Sequence, residues 1–139
     1  MGNEKIYDGT NKLEKIFAQK KPIIPTLHLL SLPGAPFYDG KSMDDIIAYT
    51  LEEVEDLIDC GVDGFIVENH GDIPFVKPER FPYETVAAMS AVGREVSKAV
   101  KKHKLGLGVN CLANAAIPAL SIAKAIGADF VRINQYANA

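Results

Sequence analysis

The sequence predicts an α/β fold: a partial (β/α)8 barrel of the TIM type, carrying about four parallel βα units, in effect a half-barrel. Three observations lead there. Short apolar runs alternate with longer stretches whose apolar residues recur at helical spacing, the pattern of strands buried on both faces and joined by crossover helices. Two segments echo each other: Gly61-Val62-Asp63-Gly64-Phe65-Ile66-Val67-Glu68-Asn69 and Gly127-Ala128-Asp129-Phe130-Val131-Arg132-Ile133-Asn134. Each reads as a glycine that ends a helix, an aspartate, a buried strand and a terminal asparagine. The glycine fingerprint that would mark a dinucleotide-binding sheet is missing after the first strand, which favours the barrel over a doubly wound sheet.

The elements follow in order. Asn11 and Glu14 form a capping-box pattern opening a short helix to about Gln19, and Pro22 ends it. Residues 1–21 are expected to be a helical extension of a single domain spanning 1–139. Ile23 to Leu30 is the first strand, and Ser31 to Gly40 is rich in turn formers. Ser42 and Asp45 start the second helix, whose stripe Ile46, Ile47, Leu51, Val54, Leu57 and Ile58 runs to Gly61. Val62 to Asn69 is the second strand and His70 to Pro82 a long loop. A third helix covers Tyr83 to Lys102, with Val86, Met89, Val92, Val96 and Val100 on one face. Leu105 to Cys111 is the third strand, Ala115 to Ala125 the fourth helix, and Phe130 to Asn134 the fourth strand, where the chain is expected to be truncated.

Composition narrows the function. Hydrophobic residues make up 47% and charged residues 24%, with a net charge of -3 and a pI near 5.6. That balance offers no footprint for nucleic acid or an anionic membrane. The basic run Lys101-Lys102-His103-Lys104 is short and sits where cations offset a helix dipole. No apolar stretch is long enough to span a bilayer, so no membrane insertion is expected. The start is too polar for a signal peptide, and Cys60 and Cys111 have neither metal-type spacing nor a disulfide framework. A cytoplasmic protein with reduced thiols is the expectation.

Strand side chains alternate between lumen and helix layer, and barrel chemistry gathers at the C-terminal strand ends. If Val131 and Ile133 pack on helices, then Phe130, Arg132 and Asn134 face the lumen. Carrying that phase to the second strand by matching the terminal asparagines puts Phe65, Val67 and Asn69 inward. The third strand then presents Gly106, Gly108 and Asn110, with the two glycines leaving room, and the first presents Thr26 and His28. Glu68 has the other parity, but it sits at the strand end, where the loop can turn it in, and Asp72 follows in that loop.

Glu68 and Asp72 are candidate acid/base groups, against a role in stabilising the loop. His28 is a candidate proton shuttle or ligand contact, against a satisfied interior histidine. Arg132 suits an anion anchor or an internal salt bridge to Glu68. Asn69, Asn110 and Asn134 suit sugar hydroxyls or stitching of the strand ends. His28, Glu68, His70 and Asp72 follow no metal-ligand spacing, so no metal site is expected, and no cofactor is indicated. The segment Leu32 to Tyr38 reads as a lid or as a proline-stiffened turn.

At these residues the sequence resembles the BtpA/SgcQ family. The likeness rests on His28-Leu29-Leu30-Ser31-Leu32-Pro33-Gly34-Ala35-Pro36, the Gly61–Asn69 segment with Gly71-Asp72 and Pro74-Phe75, Thr85-Val86-Ala87-Ala88-Met89, Gly108-Val109-Asn110 and Gly127–Asn134. It runs from about Lys21 to Asn134. The resemblance implies a TIM-type barrel akin to the ribulose-phosphate-binding barrels. The family takes its name from photosystem I biogenesis, and other members look like enzymes of sugar or nucleoside metabolism. It points to His28, Glu68, Asn69, Asp72, Asn110, Arg132 and Asn134 as site positions.

Where the family pattern usually reads Leu-Arg-Asn-Asp, this chain has Leu112-Ala113-Asn114-Ala115, keeping Asn114 as a candidate contact but lacking the arginine and the acid. Members also run to about twice this length. The functional expectation is an enzyme-type barrel acting on a small phosphorylated sugar or nucleoside by acid/base chemistry, incomplete in this chain. The alternatives are a non-catalytic assembly factor and an inactive product of a truncated gene. Open edges at the first and fourth strands make a homo-oligomer a further expectation.

Overall fold

Why this chain layers helices on a sheet is visible in the strand cores of the computed structural model, which describes residues 12–135. Helix α1 spans Lys12–Phe17, strand β1 Thr26–His28, helix α2 Met43–Asp59 and strand β2 Gly64–Glu68. Helix α3 covers Tyr83–Lys102 after a 3-10 turn at Pro78–Arg80, strand β3 Gly106–Asn110, helix α4 Ala116–Ile126 and strand β4 Phe130–Val131. All strand pairs are parallel, in the order β1-β2-β3-β4. Four strands alternating with helices in this way make the expected half-barrel.

The helix boundaries follow local chemistry. Ser42 caps α2 by accepting the amide of Asp45 at 3.1 Å, as its capping pattern predicts. Gly127, at φ 71°, ends α4 in the left-handed conformation that glycine adopts without penalty. The Asn11 half of the expected first capping box lies outside the described residues. Strands β1 and β4 are shorter than expected, yet pairing continues past them: Leu29 donates to Glu68 O and Arg132 to Val109 O.

One face of the sheet is the helix-side core. Leu27, Phe65, Val67, Leu107 and Val109 are fully buried there against Ile46, Val54, Met89, Val92, Val96, Ile122 and Ile126. Each such aliphatic contributes roughly 1.5–3 kcal/mol by leaving water. Helices α3 and α4 come close at Gly93, where a methyl group would lie 2.9 Å from Ile126 Cδ1.

The other face corrects the expected phase of the second strand. Phe65 and Val67 point to the helices, so Gly64, Ile66 and Glu68 face the lumen, in register with Gly106, Gly108 and Asn110. The first, third and fourth strands have the expected phase. The error lay in aligning the two echoed segments at their asparagines, since the second is one residue shorter between aspartate and asparagine. Their aspartates are the equivalent points. Asp63 Oδ2 accepts Ile23 N at 2.8 Å, and Asp129 Oδ2 accepts Leu107 N at 2.9 Å, each tying one strand's entry to the preceding strand.

Gly106 and Gly108 also differ from expectation, because they make room for protein rather than ligand. A methyl group on Gly106 would sit 2.3 Å from Phe17 Cε1, and one on Gly108 would sit 2.4 Å from the Phe130 ring. Phe17 meets Phe130 edge to face, centroids 5.6 Å apart. Helix α1 therefore plugs the floor of the lumen, beneath a second layer of Thr26, Ile66, Gly108 and Phe130.

Candidate functional site

Above those layers, one register row carries His28, Glu68 and Asn110 at the C-terminal strand ends. Arg132, two residues past the Gly108–Phe130 pair, completes it on the β4 side. Glu68 is the hub, its side chain only 6% exposed. Its Oε2 accepts the Asn110 side-chain amide and lies 3.7 Å from Arg132 Nη1, while Oε1 lies 3.5 Å from His28 Nε2. The Arg132 and His28 side chains are about half exposed, so these long pairings hold little energy and leave both groups open to a ligand. Asn110 Oδ1 is buried without a partner among the described residues.

The loop after β2 adds two residues that sequence reading did not place in the mouth. His70 stacks on His28 with centroids 4.1 Å apart and rings 13° from parallel, and Phe75 meets His70 edge-on. No spacing rule announces this pair, because the loop's path alone brings it together. Among the described residues no cluster of three or more His, Cys, Asp or Glu side chains is arranged to hold a metal.

The remaining candidates lie elsewhere. Asn69 does not face the lumen. Its Oδ1 accepts Leu112 N at 2.7 Å and its amide reaches Leu112 O and Asp72 Oδ2, which stitches the loop after β3 to the loop after β2. Asp72 belongs to the same stitch, since its Oδ1 accepts Leu32 N at 2.8 Å. Burial pushes the Asp72 carboxyl above its ordinary value, partly offset by the Leu32 and Asn69 hydrogen bonds. Nearby Cys111 is pushed up to about 12 by burial, with the Asp72 charge adding to it. Asn114, at φ 63°, accepts the Gln135 amide at 2.9 Å and holds the exit of β4. Asn134 is exposed beyond β4.

The first loop is anchored at its base. Leu32 is buried, the Ser31 hydroxyl donates to Gly71 O, and Gly71 packs so tightly that a methyl group there would lie 2.4 Å from Ser31 N. Only its tip, with Phe37 at 70% exposure, stands free. No helix among the described residues is long and apolar enough to cross a membrane.

Comparison with known proteins places the sequence in a family. An uncharacterized protein of Archaeoglobus fulgidus is 42% identical over 116 residues, covering 84% of this chain and 44% of that protein. One from Pyrococcus furiosus is also 42% identical, over 115 residues, covering 83% and 42%. The photosystem I biogenesis protein BtpA of Synechocystis is 36% identical over 122 residues, covering 88% and 41%. The chain thus spans less than half the length of these relatives. No solved structure matches. The model of the BtpA family matches residues 19–139, and the chain belongs to that family.

Proposed function

We propose that the Glu68 row is the mouth of an enzyme-type barrel that binds a small phosphorylated sugar or nucleoside and moves a proton on it. The arrangement that carries this reading is a buried carboxylate shared between an imidazole and a guanidinium at the C-terminal rim. Glu68 is the acid/base group, with His28 beside it as a proton relay. Arg132 anchors the anionic end of the ligand, and the free Asn110 Oδ1 accepts a ligand hydroxyl. Asp72 takes no part, because both its oxygens hold loop partners.

Two measurements test this. Titrating ribose 5-phosphate into the chain should give saturable heat that Arg132→Gln weakens about tenfold, the size of one charged hydrogen bond. Affinity unchanged in that variant would place the anion elsewhere. In a full-length relative, Glu68→Gln should keep the fold and abolish turnover, and undiminished turnover would end the acid/base assignment.

A second reading, a non-catalytic assembly factor, is favoured by the name of the Synechocystis relative. Under that reading Glu68→Gln leaves the protein's cellular role intact while substitutions on the outer helix faces remove it.

A further inference from the structure

The net charge of -3 hides an uneven distribution that appears only once the chain is folded. In a parallel βαβ arrangement each helix returns to the start of the next strand, so the C-terminal ends of α3 and α4 lie at the level of the lumen floor. Helix α1 covers that floor, seated through Phe17. Four segments far apart in the chain therefore bring exposed lysines to one end of the molecule. These are Lys12 and Lys15 on α1, Lys20 and Lys21 before β1, Lys102 at the end of α3 and Lys124 near the end of α4. Among the acids at this end, Glu14 is half-buried, and Asp63 and Asp129 are tied to backbone amides at the strand entries. None of the six lysines forms an ion pair among the described residues.

Helix α2 is the opposite case. It holds no basic residue, and its last two turns carry Glu52, Glu53, Glu55, Asp56 and Asp59, exposed except for the half-buried Glu53. Like charges stand at i, i+4 in the pairs Glu52–Asp56 and Glu55–Asp59, and all five acids lie toward the negative pole of the helix. Each placement destabilises α2, and no cation pairs with these acids among the described residues. A cationic partner would relieve that repulsion.

We propose that the lysine-rich floor of one copy docks on the acidic end of α2 in a second copy. The two surfaces are complementary in charge, and they occupy the floor and the outer wall of the same molecule. The contact is heterologous: each docked copy leaves one floor and one α2 free, so association continues beyond a dimer. A phosphate-bearing membrane or RNA would meet the lysines but would leave the acids of α2 unrelieved, which favours a second copy. This interface is separate from pairing through the β1 and β4 edges, which rests on backbone groups and apolar side chains. It also does not depend on the chemistry of the Glu68 row.

Sedimentation velocity of the full chain tests it. The average mass should fall as ionic strength rises from about 10 mM, where charges act over ~30 Å, to about 150 mM, where they act over ~8 Å. Edge pairing alone would not weaken with salt. Lys15→Glu with Lys102→Glu, and separately Glu52→Lys with Glu55→Lys, should each remove the salt-dependent association. An equimolar mixture of the two variants should restore it, because each keeps the face that the other has lost. Mass that is indifferent to salt overturns the proposal, as does a mixture no more associated than its components. Binding to phosphatidylglycerol vesicles or to polyuridylate without salt-dependent self-association assigns the lysines to that partner and overturns it too. If circular dichroism shows that a charge-reversed variant is unfolded, the neutral pair Glu52→Gln with Glu55→Gln decides. It should weaken association about tenfold, and unchanged association counts against the interface.

Discussion

Glu68 and Asp72 stand four residues apart with opposite environments. Glu68 faces the lumen among donors, while Asp72 is turned into the loops and loses water without gaining a cation. Burial raises the folded pKa of Asp72 above its unfolded value near 3.8, so the folded chain holds that proton more tightly. This contribution to stability is fully present below the unfolded value and is lost as pH rises through the folded one. In urea unfolding across a pH series, the stability of the parent relative to Asp72→Asn should therefore decline as pH climbs out of the carboxyl range. A difference that grows with pH would contradict the burial argument. The cysteines make a parallel case. Cys111 is 1% exposed with its thiol pushed up to about 12, whereas Cys60 is exposed. A thiol reagent at pH 8 should label Cys60 alone until denaturant is added. Prompt labelling of both would mean the loop stitch opens readily.

At the scale of elements, the lumen is built by trading side chains for glycines. Helix α1 docks because Gly64 and Gly106 leave a trough for Phe17, which is 6% exposed. Gly106→Ala should destabilise by about 1–3 kcal/mol through overpacking. Its penalty should shrink in a Phe17→Leu background, since the clashing ring edge, at 2.3 Å, is then gone. Equal penalties in both backgrounds, measured by calorimetry, would show that α1 is not seated in the lumen. Sequence reading treated this helix as an extension and the glycines as ligand space. Both were local inferences about a contact that joins α1 to the starts of β2 and β3, far apart in the chain.

For the whole molecule, four strands in the order β1-β2-β3-β4 leave β1 and β4 as the outer strands of the described sheet. Outer strands present unpaired backbone groups, and natural proteins normally cover them. On the α4 side, Ile117 and Leu120 are 73% and 53% exposed, so apolar surface adjoins the β4 edge. The chain should therefore self-associate through these edges. Light scattering after size exclusion should give a mass that rises with concentration. A constant monomer mass with cooperative unfolding would rule pairing out.

The amino-acid sequence alone determined the class of fold and the order of its elements, and it offered four residues of the mouth as candidates, because apolar periodicity and helix stops are local and the strand ends carry distinctive polar residues. His28, Glu68, Asn110 and Arg132 were all legible as candidates. Which face the second strand's side chains took was decided only in three dimensions: strand phase flips completely on a one-residue shift, and two echoed segments of unequal length offer two alignments. The stitch through Asn69 and Asp72, the His28–His70 stack and the seat of Phe17 likewise depend on contacts between segments far apart in the chain, which no local pattern encodes.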